Sequence, residues 1–112
     1  MSASHVYRIR VRKYMGGSFF KDECYYEPRP LPAAHRARLE NAGWSVTCGR
    51  VSVEREYRRL TGLSVSLARE DAALRGASSA CHAYALGTAV ASGLADDVLA
   101  AAEGRGSLLT ED

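Results

Sequence analysis

Residues 5–27 read HVYRIRVRKYMGGSFFKDECYYE, and the fold class turns on this stretch. Tyr7, Ile9 and Val11 alternate with Arg8, Arg10 and Arg12, which is the period of a strand with one buried face. Gly16-Gly17 suits the positive φ angles of a two-residue hairpin turn. With that turn Met15 opposes Ser18, so Val11 faces Asp22, Ile9 faces Cys24 and Tyr7 faces Tyr26, while Arg10 faces Glu23 and Arg8 faces Tyr25. One surface is then largely apolar, and the other sets aromatics among arginines, as a half-buried hairpin requires.

Working outward, Glu27-Pro-Arg-Pro-Leu-Pro32 ends the strand, because proline removes ladder donors. Pro32 suits a first helical turn, and Ala33 to Asn41 is a run of helix formers that Gly43 closes. From Trp44 to Glu54 the pattern alternates again. A turn at Gly49-Arg50 would set Cys48 against Val51, Val46 against Val53 and Trp44 against Arg55, with the apolar residues on one face and the second strand running from Val51 to about Tyr57. Beyond Ser64 the periodicity becomes helical, with a break near Gly76, a small-residue helix over 78–92 and a last helix near 95–103 that Gly104 ends.

The expected fold is therefore α+β: two antiparallel β-hairpins forming a sheet, a short helix between them, and a C-terminal helical layer. Ile9, Val11, Trp44, Val46 and Val53 are expected on one buried face. Residues 1–104 are read as a single domain and 105–112 as a frayed tail.

Composition bounds the rest. The chain has 112 residues, 46% hydrophobic and 25% charged, with a net charge of +2, which excludes a disordered polyelectrolyte. Thirteen arginines against two lysines, with 18 alanines, point to a GC-rich genome and a bacterial or phage source. Residues 1–62 carry +6 and residues 63–112 carry −4, so the two halves present opposite fields. Three cysteines with no CxxC spacing favour a reducing, cytoplasmic setting. MSASHVYRIRVRKY contains no apolar leader, and the uncharged stretch 76–95 is too rich in Ala, Ser and Gly to read as a membrane span.

The candidate site is the charged face of the first hairpin. Arg8, Arg10 and Arg12 stand about 7 Å apart along it, and Tyr14, Phe19 and Tyr25 are expected on the same surface. Arginines beside exposed aromatics are enriched at interface hot spots and also suit stacking on nucleic-acid bases. The competing explanation is cross-strand ion pairing on a solvated sheet. Arg59 to Arg69 resembles the turn and recognition helix of a helix-turn-helix, with Gly62 at the turn, but Arg58 and Asp71 fit that motif poorly.

Catalytic and metal chemistry finds no support in spacing. Cys81 and His82 are neighbours that point apart on a helix, Cys24 and Cys48 fall on apolar strand faces, and His35 sits among surface arginines. Asp96-Asp97 suits a helix first turn. The small-residue rows Ala83, Gly87, Ala91, Ala95 and Ala80, Tyr84, Thr88, Ser92 serve either close packing on the sheet or a homodimer through residues 78–92.

The functional expectation is a non-enzymatic binding protein, foremost an inhibitor or adaptor of phage or mobile-element type that docks on a larger bacterial protein complex, such as an anti-defence inhibitor. A nucleic-acid-binding regulator using the arginine strand comes second, and a small enzyme with an unrecognised site third. No metal or other cofactor, and no membrane, is expected.

Overall fold

The computed structural model describes residues 3–17, 19–73 and 78–105; within these, side chains are described except at residues 19, 71–73 and 78–89. The order of elements is β1 (His5–Gly16), β2 (Phe19–Glu27), α1 (Ala33–Asn41), β3 (Ser45–Ser52), α2 (Val53–Ala73) and α3 (Ser78–Ala102). The fold is α+β. Its sheet is antiparallel with the order β2-β1-β3, so the arginine-bearing strand is central.

The first hairpin forms, but one residue out of the expected register. Gly16 pairs with Phe19, the ladder shifts between Tyr14 and Gly16, and Tyr14 then pairs with Phe20. Gly16 and Gly17 take φ of +103° and +62°, and Met15 falls at the irregularity as the extra residue of a bulge. Side chains alternate with a period of two, so this slip moves every β2 residue to the other face. Val11 faces Glu23, Ile9 faces Tyr25, Arg10 faces Cys24 and Arg8 faces Tyr26.

The second hairpin does not form. Gly49-Arg50 lies within β3, which pairs along its whole length with β1, placing Val46 beside Val11 and Cys48 beside Ile9. Val53 opens α2. The Ser52 hydroxyl accepts the Arg55 amide at 3.3 Å, and Glu54 and Glu56 offset the dipole of the first turn. This cap outweighs the short Val51–Val53 alternation. α2 runs unbroken through Gly62, which rules out a helix-turn-helix there, and α3 is one helix where two were expected.

Both faces of the sheet are covered. On one, Ile9, Val11 and Val46 pack with Leu31, and Tyr25, Leu39, Trp44 and Cys48 close around them. The cover there is the segment around α1, held by a Schellman cap in which the amides of Trp44 and Gly43 donate to the carbonyls of Leu39 and Glu40, each at 3.0 Å. The same motif ends α3, from Arg105 to Ala100 and from Gly104 to Ala101. The glycine stops at residues 43 and 104 are thus as the sequence indicated.

The α2–α3 pair lies on the other face, the arginine face, contrary to the expectation that this face is solvated. Val6, Tyr26 and Leu60 pack there with Ala95, Val98, Ala101 and Ala102, and Val53 belongs to this cluster and not to the opposite one. Ala91 and Ala95, the described part of one small-residue row, are buried; the side chains at 83 and 87 lie outside the described residues. Backbone bonds from Ala3 to Ala102 at 2.8 Å and from Val53 to Ser4 at 3.0 Å tie the layer to the start of β1. Among the described residues no helix is long and apolar enough to cross a membrane. Of the expected tail, residues 106–112 lie outside the described ones.

Val46 is 6% exposed, in the cluster of Ile9 and Val11. Val46→Asp places an unpartnered charge there and is expected to destabilise the domain by at least about 3 kcal/mol, read as a lowered urea midpoint; an unchanged midpoint would contradict this packing.

Candidate functional site

The three arginines of β1 share a face but not a role. Arg8 is drawn under the helical layer, where its Nη1 donates to Glu56 Oε2 at 3.0 Å. Tyr26, brought to this face by the bulge, donates its hydroxyl to the same oxygen at 2.5 Å. One turn on along α2, Arg59 donates from Nε to Oε1 at 2.8 Å and from Nη2 to Oε2 at 3.1 Å. The carboxylate, with a side chain 7% exposed, therefore accepts four hydrogen bonds, three of them from guanidinium groups. Hydrogen bonds from Arg59, then Tyr26 and Arg8, outweigh its burial and hold Glu56 at a pKa of about 2. Burial, with the bond to Glu56, pushes the Tyr26 hydroxyl up, and burial likewise raises the Cys24 thiol.

Arg10 stands further along the strand. It is 57% exposed, and its carboxylate partner among the described residues is Asp22 at 3.8 Å, beyond hydrogen-bonding range. Between these arginines and the helices opens a cleft of about 510 Å³. Arg8, Arg10, Cys24 and Tyr26 form its sheet wall, and Arg59 stands at its edge. The opposite walls are apolar, from Leu60, Leu63 and Leu67 on α2 and Val90, Ala91 and Leu94 on α3.

Arg12 lies beyond the helical cover, at the tip of the hairpin. Its guanidinium carbon sits 4.1 Å from the centre of the Phe20 ring, a cation–π distance, and the Tyr14 ring is 5.2 Å from Phe20. The Tyr14 hydroxyl donates to the Gly17 carbonyl at 2.8 Å, which ties the ring to the turn. Tyr14, Met15 and Phe20 are each about half exposed. On the reverse of the tip Lys13 pairs directly with Lys21, with its ammonium 5.8 Å from the Trp44 ring.

The expected set of Arg8, Arg10, Arg12, Tyr14, Phe19 and Tyr25 is thus divided. Arg10, Arg12 and Tyr14 share an accessible face. Arg8 is committed to Glu56. Tyr25 lies on the other face, packed against the Ile9 cluster, because the bulge shifts it there. Phe19 pairs with Gly16 and its side chain lies outside the described residues; Phe20 is the ring that joins Arg12. Sequence reasoning missed Glu56, Arg59 and Phe20. The signal for Glu56 was its i, i+3 spacing with Arg59 and its i, i+4 spacing with Leu60 on one helix face, hidden by reading residues 51–57 as a strand.

Other candidates resolve simply. Cys24 and Cys48 are half-buried free thiols on opposite faces, and His35 is half-buried on α1 where full exposure was expected. Asp96-Asp97 lies inside α3 and not at a helix start; burial, then Asp96, raises the Asp97 carboxyl. Among the described residues no three of His, Cys, Asp and Glu converge on a metal position. The side chains of Cys81 and His82 lie outside the described residues.

The lowered pKa of Glu56 makes the stability of the domain depend on pH. Its carboxyl titrates near 4.5 unperturbed and near 2 when folded, so its contribution is complete above about pH 5 and is lost as the pH falls toward 2. A shift of that size corresponds to about 3 kcal/mol. Glu56→Gln should lower stability at pH 7 by about that amount and flatten the fall between pH 5 and pH 2, measured by urea unfolding at several pH values.

Comparison with family models, curated proteins and solved structures yields no match for this chain, so its function is read from geometry.

Proposed function

We propose that the protein is a non-enzymatic binding module, an inhibitor or adaptor that docks the tip of its β1–β2 hairpin onto an acidic patch of a larger bacterial protein complex. The observation that supports this reading is the exposed cluster of Arg12, Phe20 and Tyr14, with the two rings tilted against each other. Arginine and tyrosine with a neighbouring aromatic are the residue types that supply interface hot spots. The hydroxyl tether of Tyr14 limits the ordering cost on docking. Met15 adds an adaptable apolar contact at the same tip.

Charge selects the kind of patch. Arg10 and Arg12 on one side and Lys13 and Lys21 on the other outnumber the nearby Asp22 and Glu23. Two lysines directly opposite each other repel, and an acidic partner surface relieves that repulsion. The nearby reactive groups do not favour catalysis: Glu56 is held ionised by its donors, and the Cys24 thiol is raised, away from the thiolate form.

A nucleic-acid partner is the second reading, favoured by the same aromatic cluster, since Tyr14 and Phe20 offer ring surface to bases and the four cations offer contacts to phosphates. The two separate by salt. Nucleic-acid affinity falls steeply with ionic strength, whereas an aromatic-centred protein interface weakens moderately.

The test is capture from a bacterial lysate by the tagged protein, with and without nuclease, repeated with the Arg12→Glu/Phe20→Ser double variant. Both positions are exposed, so the melting temperature should stay within a few degrees, while capture should weaken by about 30-fold or more, as for loss of a hot spot. A folded double variant that captures its partner as well as the parent would move the site away from the tip.

A further inference from the structure

We propose that the cleft between the sheet and the α2–α3 layer is a separate ligand site for an anionic amphiphile, a molecule with an aliphatic body and one acidic head group. This site does not depend on the hairpin tip. The cleft volume of about 510 Å³ falls in the range of small-molecule sites, roughly 300–1,000 Å³. Leu63 and Val90 stand at its mouth with 43% and 61% of their surface exposed, apolar area that an aliphatic chain laid against Leu60 and Leu94 would remove from water.

The polar end of the cleft is cationic, and this sets the head group. Arg8 and Arg59 are turned to Glu56, whose charge their guanidinium groups balance together with the Tyr26 hydroxyl. Arg10 lines the same cleft, and its acidic partner among the described residues, Asp22, is 3.8 Å away and half exposed. Its planar fork of donors matches a carboxylate in a two-point bond. A cationic head group would meet Arg10, and of the carboxylates beside the cleft Glu56 is saturated and Asp22 already faces Arg10. The fit is therefore an acid held by Arg10 with its chain between α2 and α3.

The experiment is isothermal titration of the full chain with decanoate and decyltrimethylammonium below their micellar concentrations and with decanol below its solubility limit. Decanoate should bind with one-to-one stoichiometry, more tightly than decanol, and decyltrimethylammonium should bind least. Arg10→Gln should weaken decanoate by about tenfold or more, the loss of a charge-assisted hydrogen bond, and leave decanol unchanged. Leu63→Gln/Val90→Gln, at exposed positions, should weaken decanoate and decanol alike, with circular dichroism confirming the fold. Absence of saturable decanoate binding, equal binding of the cationic amphiphile, or an Arg10→Gln variant that binds decanoate as the parent does would each overturn the assignment. None of these results bears on partner capture by the tip, so the two sites fail or stand separately.

Discussion

A carboxylate under a sheet is costly unless donors surround it, and the donors to Glu56 come from three elements: Arg8 on β1, Tyr26 on β2 and Arg59 on α2 itself. Each has to be on the right face at the right height for the charge to be tolerated. The network therefore sets where α2 lies on the sheet and selects the β1–β2 register that brings Tyr26 beneath the helix. The apolar cluster around Val6, Leu60 and Val98 supplies hydrophobic burial, but its alanines would permit a range of placements. The hydrogen bonds of Glu56 permit far fewer.

The same network explains why the arginine strand departs from a simple two-faced reading. A strand of alternating arginines is expected to turn them to water, and the alternation of Ile9 and Val11 was legible for that reason. What the pattern did not show is that a helix would bring its own carboxylate to Arg8, making half of the charged face an interior one. The central position of β1 follows, with α1 and its flanks on one side and the longer helices on the other. The glycine caps at 43 and 104, the short helix after the prolines and the strand character of residues 5–16, 19–27 and 45–52 were all readable, since each rests on local chemistry. The turn placed at Gly49-Arg50 was not upheld, because a clean local alternation cannot distinguish a hairpin from one strand that pairs elsewhere and runs into a capped helix.

The three arginines divide along the strand in the same way. Arg8 serves the fold, Arg10 faces the cleft, and Arg12 joins the exposed rings of the tip. The rule that placed arginines near aromatics was legible in the sequence, but the choice of aromatics was not: a one-residue shift carries Tyr25 into the packing around Ile9 and brings Tyr26 and Phe20 to the arginine side.

That shift originates at the irregularity between Tyr14 and Gly16, and it gives the hairpin tip an unusual mutational character. Surface turns ordinarily accept insertions and deletions more readily than the strands they join. Here the tolerant position lies within the strand end: without Met15, Gly16 would follow Tyr14 directly, the Gly16–Phe19 and Tyr14–Phe20 pairs would become consecutive, and Tyr26 would stay beneath α2 as a donor to Glu56. The identity of the residue at this position is free to vary as well, since its side chain is half exposed. Among descendants of this chain, the tip should diverge in sequence at Met15 and tolerate its loss, while the pairs from Tyr14 and Phe20 inward stay fixed.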